Sequence, residues 1–90
     1  MAIAVYFNPD AMTTEQYDAV MAGLDAAGAG NPAGRVHHSC FGAPGHLMVY
    51  DIWESADAFE AFGGKLGPIL AEVGVDTGEP EIMPLHNHVQ

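Results

Sequence analysis

The sequence predicts an α+β protein in which four antiparallel strands carry two helices on one face. Three observations lead there. The elements follow one another as β-α-β-β-α-β; no repeat, linker or low-complexity segment interrupts them; and the third strand is apolar on both faces. Residues 1–90 are expected to form a single domain, since 90 residues with 49% hydrophobic content supply one core. A chain of this size buries only about 60% of its unfolded surface, so a second copy would add to its stability.

The opening "AIAVYFN" is short, apolar and β-favouring, and stops at the turn signal Asn8-Pro9-Asp10. In "MTTEQYDAVMAGLDAAG", Thr13 and Gln16 have the spacing of a capping box, and Met12 and Tyr17 that of a hydrophobic staple. Tyr17, Val20, Met21 and Leu24 then share one helical face, which ends at Gly28 and Gly30. "GRVHHSCFG" and "HLMVYDIW" flank Ala43-Pro44-Gly45 and read as an antiparallel hairpin. Ser55 caps a second helix whose apolar face includes Phe59, Phe62, Leu66, Ile69, Leu70 and Val73; Gly63-Gly64 and Gly67-Pro68 are expected to break or kink it. "PEIMPLHNHV" is the last strand, and Pro80 and Pro84 suit it to a sheet edge.

The third strand alternates Met48, Tyr50 and Ile52 with Leu47, Val49 and Trp53, so the sheet face away from the helices also needs cover. Sheet-on-sheet packing of a homodimer, or a larger assembly, provides it. Twelve acids against two bases give a formal charge of -10, which excludes nucleic acid and anionic membranes as partners. One cysteine, no basic-then-apolar leader and no apolar run of membrane length give a cytoplasmic expectation.

The run "VYDIWESADAFEAF", residues 49 to 62, brings a strand ending in an acid, an apolar residue and Trp into a Ser-capped helix with a Phe-x-x-Phe pair. With this run and its element order, the chain resembles the dimeric α+β barrel superfamily, and within it the antibiotic-biosynthesis-monooxygenase-like group. The resemblance implies a ferredoxin-like monomer with its strands in the order fourth, first, third, second, a barrel completed by a second copy, and a pocket between sheet and helices. Activities in that superfamily include cofactor-free oxygenation of aromatic polyketides, heme degradation, polyketide cyclisation and isomerisation. Asn8 and Trp53 match an asparagine and a tryptophan of the heme-degrading branch. Its iron-ligating histidine has no counterpart between Ser55 and Gly74, so heme is not expected.

The stretch "VHHSCF" poses the chemical question. His37 and His38 are strand neighbours and point to opposite faces, and His38 is expected to share its face with Val36 and Cys40. A pocket-facing His38 would serve as general base, with Asn8 and Tyr50 orienting the reacting oxygen. Trp53, Tyr6, Phe59 and Phe62 would line a site for a small apolar or aromatic ligand. The competing reading for each is a packed core or a satisfied interface histidine.

His37, His86 and His88 form a second candidate set, a metal site shared across a dimer interface, although their spacing matches no specific zinc pattern. Asp51 reads as exposed or as a structural hydrogen-bonding group, the competing reading being an inward carboxylate that orients a histidine. Arg35 reads as an ion-pair partner that an anionic ligand could also engage, and Cys40 as a buried inert thiol. "GAGNPAG" follows a helix rather than opening one, which excludes a phosphate loop. The leading expectation is a small-molecule enzyme without nucleotide cofactor that abstracts a proton, with oxygen addition as an extension. The alternative is a non-catalytic dimeric module that binds a ligand or metal through interface histidines.

Overall fold

Alternation along the first strand decides which side the helices cover. The computed structural model describes residues 1–90 as β1 (Ile3–Phe7), α1 (Thr14–Ala26), β2 (Arg35–Ala43), β3 (His46–Trp53), α2 (Ala56–Val73) and β4 (Glu81–Pro84). Ile3, Val5 and Phe7 are buried while Ala4 and Tyr6 are only partly so, and the buried set faces the helices. The sheet order is β2-β3-β1-β4 with every neighbouring pair antiparallel, which is the ferredoxin-like arrangement. Trp53, Leu24 and Val5 are almost fully enclosed between sheet and helices. Side chains of this size contribute about 1.5 to 3 kcal/mol each when removed from water.

Local signals set the ends of the helices. Thr13 Oγ1 accepts the Gln16 backbone N–H at 3.1 Å, and Gln16 Oε1 accepts the Thr13 N–H at 2.9 Å, so the capping box is formed. Such a cap contributes about 1 kcal/mol. Ser55 Oγ caps α2 by accepting the Ala58 backbone N–H at 3.1 Å, without a reciprocal bond. The helices meet closely at Gly23, where a Cβ would come within 2.9 Å of Ile69 Cγ2. Between β2 and β3 the chain reverses through Pro44 and Gly45, and the φ of 90° at Gly45 belongs to the left-handed region that glycine tolerates.

Three expectations need correction. First, α2 is one uninterrupted helix despite Pro68. The carbonyl that loses its partner there is that of exposed Gly64, which water can satisfy, and the apolar stripe from Phe62 to Val73 holds both halves to the core. Second, the last strand ends at Pro84: His86 and His88 lie beyond it, with only the Leu85 N–H still reaching Ala2 C=O. Third, the ladder of β2 shifts between Arg35 and His37, leaving Val36 without a partner on β3. Arg35, opposite Trp53, therefore takes the inner position that regular alternation assigns to Val36, and Val36 is half exposed.

Candidate functional site

The hairpin places the chemistry. A two-residue turn pairs Ala43 with His46, and counting back along the ladder sets His38 opposite Asp51 on the inner face. His38 Nδ1 lies 2.6 Å from Asp51 Oδ1, and the indole N–H of Trp53 donates to Asp51 Oδ2 at 3.2 Å. Both oxygens of this buried carboxyl group are therefore engaged. From α1, the Tyr17 hydroxyl approaches His38 Nε2 to 2.6 Å with the two rings nearly parallel.

Burial pushes the Tyr17 phenol above its ordinary range and keeps its proton on; the nearby Arg35 guanidinium acts in the opposite sense. With the phenol protonated, the consistent arrangement has Tyr17 O–H donating to Nε2 and Nδ1–H donating to Asp51. The result is one chain of hydrogen bonds, Tyr17 to His38 to Asp51 to Trp53, fixed on three elements.

Tyr17, His38 and Asp51 stand in the wall of a cavity of about 50 Å³ between the sheet and both helices. The rest of the wall is mainly apolar, with Val20, Leu24, Phe62 and Leu66 among its side chains, and Arg35 is its one cation. At this size the cavity, which is partly open to solvent, holds about four water-sized groups. Cys40, on the same strand face as His38, has its thiol pushed up by burial, which suits the inert role expected of it.

The other candidate residues are distributed unevenly. Phe62 lines the cavity; Phe59 packs behind it, between Phe7 and Trp53. Trp53 is fully buried and supports Asp51 rather than offering a stacking surface to the cavity. Tyr50 and Tyr6 project from the opposite face of the sheet, where Tyr6 stacks on Phe41 and Tyr50 meets His37, so neither reaches His38. Asn8 is exposed at the end of β1, with Oδ1 3.3 Å from His46 Nε2, and is not brought to the relay.

His37 hydrogen-bonds Ser39 and meets the edge of the His88 ring at 5.5 Å between centroids. His37, His86 and His88 do not gather into a three-ligand group within one chain. α2 carries no histidine.

Of the relay, Tyr17 escapes the sequence reading as a functional residue, and Asp51 reads there first as exposed or structural. The hairpin register that pairs 43 with 46 also pairs 38 with 51, and this was the available signal for Asp51. Tyr17 begins the apolar stripe of α1 but carries a hydroxyl at the one place where that stripe meets a histidine.

No protein-family model and no curated protein matches the chain. Solved structures do. A candidate antibiotic biosynthesis monooxygenase of Chloroflexus aurantiacus superposes with a TM-score of 0.67 at 16% identity, covering 99% of this chain and 98% of that one. SnoaB, a cofactor-independent oxygenase from Streptomyces nogalater, gives 0.64 at 16% identity over 98% and 94%. A further candidate monooxygenase, from Caulobacter crescentus, gives 0.65 at 21% identity over 91% and 85%. Similarity at this level of identity speaks for architecture, and the chain accordingly has the same fold as these antibiotic biosynthesis monooxygenase-like proteins.

Proposed function

We propose that this chain is a small-molecule enzyme that abstracts a proton from a ligand held in the apolar cavity, without a nucleotide cofactor. The observation that carries the reading is the Tyr17–His38–Asp51 hydrogen-bond chain set into an otherwise apolar wall. An acidic C–H or O–H bond of the ligand gives its proton to the Tyr17 oxygen as the Tyr17 proton moves to His38 Nε2. Asp51, held by Trp53, stabilises the imidazolium that forms. His38 is thus the base, acting through Tyr17.

Where dioxygen is co-substrate, the carbanion left behind adds to it and takes up a proton. C–H plus O2 then gives C–OOH, with carbon as the reductant. The shared fold with a protein described as a cofactor-independent oxygenase supports that extension.

The enzyme acts as a homodimer packed sheet to sheet, supported by the open-face rings of Tyr6, Phe41 and Tyr50 and by Met83. It works in the cytoplasm, where the single free thiol Cys40 stays reduced. That no helix is long and apolar enough to cross a membrane fits this reading.

The test is hydrogen–deuterium exchange into butanone in D2O, followed by proton NMR. The native chain should accelerate exchange at the carbons next to the carbonyl. His38→Gln and Tyr17→Phe should each lower the rate about a hundredfold. Equal rates for the native chain and both variants would remove the assignment.

A further inference from the structure

Arg35 is one of two cations in a chain with twelve acids, yet no carboxylate lies within ion-pair distance of it; the single ion pair in the structure is His38 with Asp51. Its recorded contacts are a hydrogen bond from Nη2 to Gly30 C=O at 3.2 Å and the face of Phe62, whose ring centre lies 5.9 Å from the guanidinium carbon. A guanidinium has five N–H donors in a planar fork matched to paired anionic oxygens. Here one donor is used, and the group borders the cavity that holds the relay.

The shifted ladder at Val36 is what turns this side chain inward. Asp51, the acid of the same cavity, has both oxygens committed to His38 and Trp53. Apart from the relay, the cavity therefore presents one unpaired cation in a mainly apolar wall.

From this we infer that Arg35 is the anchor for an anionic oxygen of the ligand, and that the ligand is a small apolar molecule with one acidic end. The inference rests on the proposed use of the cavity and specifies what enters it. Two sources of such an oxygen share the same chemistry: a carboxylate present when the ligand binds, or the enolate oxygen that appears when the relay removes a proton. Phe62 beneath the guanidinium and Gly30 at its edge hold the fork in place before either arrives.

Binding of propanoate and of its neutral isostere propanamide, measured by saturation-transfer NMR without any turnover, tests the first source. The butanone exchange rate tests the second. For a carboxylate anchor, the native chain prefers propanoate about tenfold or more, Arg35→Gln abolishes the preference, and Arg35→Lys restores part of it. For an enolate anchor, propanoate and propanamide bind alike, but Arg35→Gln lowers the exchange rate about tenfold or more while Arg35→Lys recovers part. The inference is overturned if Arg35→Gln, shown folded by its melting temperature, changes neither quantity. Should exchange in the native chain itself be absent, the proton-abstraction reading fails, whereas a propanoate preference that depends on Arg35 would still stand on its own.

Discussion

The helix-facing side of the sheet buries polar groups that satisfy one another, whereas the opposite side lays out rings that are only half satisfied. On the inner face Asp51, His38 and Tyr17 complete each other's hydrogen bonds, and no buried side-chain polar atom is left without a partner. On the open face Tyr6 finds only the Met48 sulfur at 3.0 Å, Phe41 is 44% exposed, and the tail beyond β4 supplies a single ring, His88, against His37. The same strands make both faces, since successive residues of β2 and β3 alternate between them. Polar groups are tolerated inside because each has a fixed partner; the apolar groups outside form the face that the proposed homodimer would cover.

The largest effect is expected where the inner network loses its hub. Asp51→Ala leaves the His38 Nδ1–H and the Trp53 N–H without acceptors in a buried setting, and should cost about 3 kcal/mol of stability in urea unfolding. A loss below about 1 kcal/mol would mean that the network is looser than its distances imply. Next comes the open face. Phe41→Asp should weaken self-association by about 2 kcal/mol, roughly thirtyfold in the dissociation constant by sedimentation, while leaving the monomer folded. Unchanged association would place the interface elsewhere.

The smallest effect is a pH dependence of the inner face. Burial raises the Tyr17 phenol and the Cys40 thiol, so the folded chain keeps protons that the unfolded chain has released. That contribution is complete below about pH 8, and declines as pH rises through the thiol range near about 8.5 and then the phenol range near about 10. Tyr17→Phe removes the phenol part, so its stability should fall less steeply between pH 9 and 11 than that of the native chain. Parallel slopes would show that Tyr17 is solvated rather than enclosed.

Much of this architecture was legible because period and punctuation agree. The stripe of α1, the cap residues Thr13 and Ser55 and the Pro44-Gly45 reversal each point to the same element order. The site was legible only in part. His38 declared itself by residue type, but Asp51 needed the hairpin register, and Tyr17 needed the packing of α1 on β2, a contact between residues 21 apart. Asn8 and Tyr50 were chosen by resemblance and by type, and the structure sets them away from His38 because one lies at an exposed strand end and the other alternates to the open face. Arg35 was hidden for another reason. No residue type near Val36 marks an irregular ladder, and counting by twos puts the arginine on the wrong side.

That irregularity also bears on how the chain tolerates changes in length. Val36 has no partner on β3, while its neighbours Arg35 and His37 sit opposite Trp53 and Ile52, which are themselves adjacent. A chain lacking Val36 would give an unbroken ladder with the same facing pairs, so a one-residue deletion here preserves every inward side chain instead of inverting the strand. Chains that differ by a residue there would align poorly by eye yet present the same cation and the same histidine to whatever enters.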